Sequence, residues 1–491
     1  MTRRGGFLSI AALPLVAGIS VSARAAEALH VEGEVTAFTA RDMDGDGRAE
    51  IVVSYHASGQ RFLGIFRGGP AYARAPDSVV PVDPQAILYT LGDHDGKPGA
   101  DLVLVSRSSG VLYPIDARER SGVRKLFSAD LFFRMPSATA IPPWLADSKL
   151  DIDGDGSEDF LVPEKRRLRI LRGSGLPERE LPISYYLLTD SREEEIESAV
   201  EDFLEEDKSP SPYLEAEGAY PFPVVADFDG DGLLDIIVKQ LGHSLVVYRQ
   251  APGGEFARIP HLSVSIPWSR TATDFRFADL NGDRKLDAVS ADLRLQETAT
   301  DVQVFIQDPS REASGFAQPL QVVRVQGFFR RPELGDADGD GRLDLFVSSY
   351  RLDLIGNLKK SVVEEMEIRH EVFRGAKDTP FEKRPGFQQS FMVKTKDLRP
   401  ETSRKLVHSG RDITGDGVPD ALFVDGGSAL RLYRGRGRGE LGYAEDTAFR
   451  ERIEYPVELR IAQLDASDGA EVILRYERRL EVLRPAGKGG S

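Results

Sequence analysis

The segment Asp227-Phe-Asp229-Gly-Asp231-Gly-Leu233-Leu-Asp235-Ile236-Ile237-Val238 places four acids and two glycines immediately before an apolar run. Such a loop is unstable with its carboxylates bare. Two carboxylates ~4 Å apart repel by roughly 4 kcal/mol at an effective dielectric of about 20. Several converging therefore need a hard cation, and Ca2+ suits them, because it accepts many oxygens in a forgiving geometry. Counting from Asp227, positions 1, 3 and 5 offer side-chain oxygens. Position 7 offers a backbone carbonyl, and the acid at position 9 closes the site. Glycine at position 4 or 6 permits the sharp turn.

The pattern recurs along the chain. Clean copies are Asp42-Met-Asp44-Gly-Asp46-Gly-Arg48-Ala-Glu50, Asp151-Ile-Asp153-Gly-Asp155-Gly-Ser157-Glu-Asp159 and Asp336-Ala-Asp338-Gly-Asp340-Gly-Arg342-Leu-Asp344. Two copies change position 3: Asp279-Leu-Asn281-Gly-Asp283-Arg-Lys285-Leu-Asp287 has an amide, and Asp412-Ile-Thr414-Gly-Asp416-Gly-Val418-Pro-Asp420 a hydroxyl. Both substitutes still offer oxygen, so about six calcium sites are expected. In Asp93-His-Asp95-Gly-Lys97-Pro-Gly-Ala-Asp101, the Lys97 ammonium is expected to replace the ion. The last copy, Asp465-Ala-Ser-Asp468-Gly-Ala-Glu471, reads as two residues short and is expected to be empty.

The opening Asp-x-Asp-x-Asp-Gly matches the start of an EF-hand loop, but the EF-hand acid falls at position 12. Here the acid at position 9 runs straight into strands such as Ile51-Val52-Val53 and Leu345-Phe346-Val347. These loops therefore join strands, not helices. Their first aspartates fall at 42, 93, 151, 227, 279, 336, 412 and 465. A period near 50 residues is a propeller-blade period. The steps of 51, 58 and 76 residues followed by 52, 57 and 76 hint at a duplicated three-blade unit. The fold class is all-β, a propeller of eight four-stranded blades. Ala28 to Glu32 is expected to complete the last blade, which leaves no long open edge. Seven blades is the alternative, if the degenerate eighth repeat packs elsewhere. The aromatics after Gly-rich turns, Tyr72, Phe256, Phe316 and Tyr443, read as blade-packing residues.

Residues 26–491 are expected to form one domain, with insertions at about 185–218 and 354–406. In the first, Ser191 to Lys208 reads as a helix, with Ile196, Ala199, Val200, Phe203 and Leu204 on one face. The second is mixed in charge and partly strand. Residues 1–25 read as a signal peptide. Arg3 and Arg4 precede the apolar Phe7–Val21, and Ala23-Arg-Ala25 fits a cleavage site. Twin-arginine and general export both remain open. The expected location is the periplasm or the exterior of a bacterium, with no membrane span. There is no cysteine, so stability comes from packing and metal rather than disulfides. A net charge of −16 argues against nucleic acid.

The Asp-rich core, the apolar strand after it and the Gly-aromatic turn together resemble the FG-GAP/VCBS repeat family of integrin α-subunit-like propellers. The resemblance covers essentially the whole chain after residue 25. It implies a calcium-binding β-propeller serving in adhesion or interaction; some members carry lectin or polysaccharide-lyase activity. No Gly-x-Ser-x-Gly elbow, His-Glu-x-x-His or P-loop is present. No catalytic residue is assigned. The reading favours a monomeric, non-enzymatic scaffold that binds a protein or surface glycan. The alternative is a polysaccharide lyase or hydrolase on the same framework.

Overall fold

The computed structural model describes residues 26–43, 46–92, 101–114, 123–131, 151–156, 159–164, 167–172, 179–183, 186–187, 218–219, 223–240, 244–265, 275–307, 316, 318–329, 331–351, 365–394, 406–425, 429–437, 439–454, 456–467 and 469–484. Eight antiparallel sheets follow one another along the chain as the blades of a β-propeller. Blade 1 comprises Glu34–Arg41, Glu50–Ala57, Gln60–Phe66 and Ser78–Pro81, paired in that order. Blade 2 comprises Ala86–Gly92, Asp101–Ser106, Ser109–Pro114 and Arg124–Ser128. Blade 3 has three described strands, Phe160–Glu164, Arg167–Leu171 and Arg179–Pro182. Blades 4 to 7 begin at Val224–Ala226, Phe275–Ala278, Glu333–Gly335 and Val407–Arg411.

Blade 8 takes three strands from the end of the chain, Glu458–Ala462, Glu471–Arg475 and Arg479–Leu483. Its fourth is Glu27–His30 from the beginning. The register pairs Ala28 with Glu481 and Leu29 with Leu480. The ring is therefore closed by its own first strand. Full burial of Leu29 adds about 2 kcal/mol of apolar stabilisation to that closure.

The second strand of each blade is apolar on both faces because both faces are covered. Along Glu50–Ala57, Ile51 and Val53 join a cluster with Leu464, Ile473 and Leu480 of blade 8. Val52 between them joins Tyr89, Leu91 and Leu102 of blade 2. Blade 4 repeats the arrangement. Ile236 and Val238 pack with Leu168 and Ile170 of blade 3, and Ile237 packs with Ala288 and Phe305 of blade 5. The core is thus a circuit of inter-blade seams, generated by the two-residue alternation of strand side chains. Tyr72, Phe256, Phe316 and Tyr443 are buried in or beside these seams, as blade-packing residues should be.

The long steps resolve differently. Around blade 3, Tyr186–Leu187 pairs with Gly218–Ala219, so the first insertion leaves and returns through a two-residue ladder. Its expected helix lies outside the described residues. The second stretch needs correction: Glu365–Phe373 and Phe387–Lys394 inside 354–406 are the third and fourth strands of blade 6. The third strand stands far from the second, which ends at Arg351, so its place in the repeat is displaced in sequence.

Candidate metal loops

Each loop is shaped by its own carboxylates. In blade 4 the Asp227 carboxylate accepts N–H bonds from Gly230 at 2.8 Å, Asp231 at 3.1 Å and Gly232 at 2.9 Å. Asp231 then accepts from Leu233 N–H at 2.9 Å. Asp336 and Asp412 each make the same three bonds from position 1. The turn needs left-handed backbone at positions 4 and 6, where Gly230 and Gly232 have φ of 77° and 89°. Blade 5 departs from this, because Arg284 holds position 6 at φ 68°, a strained conformation for a side chain with Cβ.

The acid at position 9 has a structural task that the motif alone does not reveal. Asp344 is fully buried and accepts Ala337 N–H and Gly375 N–H, both at 2.7 Å. It thereby ties loop position 2 to the end of the third strand. Asp235 does the same with Phe228 and Gln250, Asp287 with Leu280 and Gln307, and Glu50 with Met43 and Gly68. Asp420 accepts from Ile413, Thr414 and Gly435. Burial outweighs these bonds and pushes Asp235, Asp287, Asp344 and Asp420 each up to about 6. A neighbouring cation reverses that penalty, since it favours the charged form.

Three loops bring positions 1, 3 and 9 together: Asp151, Asp153 and Asp159; Asp227, Asp229 and Asp235; Asp336, Asp338 and Asp344. In each trio the carboxylate oxygens lie within 4.8 Å of one another, so each can hold a metal ion. The position-3 oxygens supply the test of fit. Oδ2 of Asp153, Asp229 and Asp338 is buried and makes no hydrogen bond. An arginine nitrogen faces each of them without a hydrogen bond, and one guanidinium leaves the three converging acids only partly neutralised. The residues therefore fit a divalent ion bound through oxygen. The position-5 acids Asp155, Asp231 and Asp340 are exposed and stand outside these trios. In the fifth and seventh repeats Asn281 and Thr414 replace one carboxylate. Asp44, Ser157 and residues 93–100, including Lys97, lie outside the described residues.

The eighth loop corrects an expectation. Position 2 donates to position 9 across seven residues in Met43→Glu50, Ile152→Asp159 and Phe228→Asp235, and Leu464→Glu471 at 2.9 Å keeps that offset. The loop is therefore full length and begins at Gln463, with Asp465 at position 3. The Gln463 amide turns inward and donates to the carbonyls of Asp465 at 3.0 Å, Gly469 at 2.9 Å and Ser467. An amide stands at position 1 in place of aspartate, so the aspartate pattern begins two residues late in this loop.

An arginine that follows the third strand went unread in the sequence. Arg172 faces Asp153 at 3.3 Å, Arg374 faces Asp338 at 3.0 Å, and Arg249 pairs with Asp229. The recurring apolar-Arg pair, as in Phe373-Arg374 and Leu483-Arg484, was the available signal.

Strand pairing and loops define a class, the eight-bladed propeller with acidic turns between its first and second strands. Residues 227–290 match the FG-GAP-like repeat family, and the chain folds as an eight-bladed β-propeller. No curated protein matches the chain. Among solved structures, BBS1N, in complex with ARL6DN, is similar at 9% identity and a TM-score of 0.38, covering 96% of this chain and 99% of that one. The V. cholerae biofilm matrix protein Bap1 is similar at 14% identity and a TM-score of 0.35, covering 93% and 88%. The Neurospora crassa Pan2 WD40 domain is similar at 8% identity and 0.32, covering 93% and 90%.

Proposed function

We propose that the protein is an exported, calcium-stabilised propeller that binds a protein or a surface glycan without catalysing a reaction. The observation that carries the metal part is the convergence of the position 1, 3 and 9 carboxylates, within 4.8 Å of one another, in three separate loops. The ligands are the position 1, 3, 5 and 9 side chains of the six motifs given above, with the position-7 carbonyls. Bound Ca2+ supplies positive charge that neutralises the converging carboxylates. The chain's own residues supply the turn, through the position-1 acid, and the tie to the third strand, through the position-9 acid.

A Ser–His contact among the described residues lies in the seam between blades 6 and 7. Ser348 Oγ lies 2.9 Å from His370 Nδ1, and His370 Nε2 lies 3.0 Å from Tyr443 Oη. His370 is fully buried, and burial lowers it to about 4. That histidine stays neutral and joins blade 6 to blade 7. Binding to immobilised envelope glycans, compared in calcium and in EDTA, tests the proposal. Calcium-dependent retention of an unaltered glycan supports it. New reducing ends or unsaturated uronates would establish the lyase or hydrolase reading instead.

A further inference from the structure

The position-3 oxygen that lacks a hydrogen bond does not lack a charge partner. In blades 3, 4 and 6 an arginine placed directly after the third strand presents a guanidinium nitrogen to that oxygen: Arg172 to Asp153, Arg249 to Asp229 and Arg374 to Asp338. The other oxygen of each aspartate already accepts the position-5 N–H, at 3.2–3.3 Å. A guanidinium and a metal ion therefore contend for the same atom.

Two of these arginines hold a second anchor. Arg374 donates to the Gly439 carbonyl at 2.9 Å, and Arg172 to the Gly254 carbonyl. Both glycines lie in the turn of the next blade, so the side chain keeps a resting place at the seam if it leaves the loop.

Blade 8 takes the substitution to completion. Arg484 stands at the same position after the third strand and reaches Asp465 at 2.9 Å, Glu471 at 3.1 Å and Glu27 of the first strand at 3.1 Å. The Gln463 amide fills the carbonyl side of the loop. The Asp465 and Glu471 carboxylates and the carbonyls of Asp465, Ser467 and Gly469 thus each have an N–H donor supplied by the chain.

We propose that this arginine is a tethered counter-cation: exchangeable with a divalent ion in blades 3, 4 and 6, and permanent in blade 8, where it closes the ring without metal. The exchange rests on the metal reading above; the blade 8 lock does not.

The test is titration of the full-length mature protein with CaCl2 by calorimetry, with thermal melts in calcium and in EDTA. The triple variant Arg172→Gln/Arg249→Gln/Arg374→Gln is expected to bind calcium more tightly, by roughly two- to fivefold at the loops of the partly exposed Arg249 and Arg374. It is expected to melt below wild type only in EDTA. Should the triple variant not fold, Arg249→Gln alone, at the most exposed of the three arginines, is expected to show the same direction. Unchanged or weaker affinity overturns the exchange and makes the arginines positioning residues. A wild-type protein that binds no calcium overturns the metal reading and the exchange together. Arg484→Gln is expected to lower the melting temperature equally in calcium and EDTA, and Arg484→Lys to do so by less. A loss confined to one of the two conditions overturns the blade 8 lock.

Discussion

The carboxylate of Glu27 and the guanidinium of Arg484 meet at 3.1 Å across 457 residues of sequence. The same carboxylate accepts the Tyr72 N–H at 2.9 Å, so the first strand is fixed to blade 1 as well as to blade 8. Closure thus depends on polar ties around a buried leucine. Leu29→Ala is expected to lower stability by about 2–5 kcal/mol, the range for a leucine deleted from a packed interior. Urea denaturation measures it. A loss under about 1 kcal/mol would mean that the first strand contributes little to closure.

Asp344 links loop and third strand through two 2.7 Å N–H bonds. Asp344→Asn keeps the shape but turns an NH2 donor toward a backbone donor. The expected cost in EDTA is about 2–3 kcal/mol, the value of hydrogen bonds to a charged group. Asp340→Asn, at an exposed acid of the same loop, is the control and should cost much less. Equal losses would contradict a clamping role for position 9.

Arg284 is the one non-glycine described at position 6 with a left-handed backbone, φ 68°. Arg284→Gly removes the Cβ strain, although glycine gains freedom in the unfolded chain. The net expectation is a gain of roughly 0.5–1 kcal/mol by denaturant titration. Destabilisation would show that the arginine side chain contributes more than its backbone costs.

His370 gives a pH dependence whose sign follows from its burial. Burial lowers its folded value to about 4, below the 6.5 of an imidazole in the unfolded chain. The unfolded state therefore binds more protons between those values. The stability contribution is complete above pH 6.5 and is lost as pH falls toward 4. The loss reaches about 3 kcal/mol by pH 4. His370→Gln should flatten this dependence, read as the difference from wild type in urea melts at each pH. Parallel profiles would contradict the buried, neutral imidazole.

The fold was legible because one nine-residue signal marks every blade at the same place, between first and second strands. Its spacing pointed to eight blades, with seven open only through the degenerate last repeat, and the unpaired segment before Glu34 pointed to closure by the first strand. Blade 6 was harder to read. Its third strand, Glu365–Phe373, is displaced along the chain, so hydrophobic periodicity near the motif missed it. The site was legible in its carboxylates but not in its arginines. Arg374 lies 36 residues from Asp338, and only the hairpin returning beside the loop brings them together. Gln463 escaped because an amide at position 1 breaks the motif while preserving the geometry. The backbone bonds of Asp344 and its counterparts escaped because an acid that clamps N–H groups looks, in sequence, like one that binds metal.

The proposed neutralisation of these loops by divalent metal is open to direct measurement. Elemental analysis after dialysis against buffered CaCl2, paired with melts before and after EDTA, tests it most directly. About six calcium ions per chain and a clear fall in melting temperature on chelation are predicted, each site at ten times its dissociation constant adding ~1.4 kcal/mol. No retained calcium and an unchanged melting temperature would contradict the account.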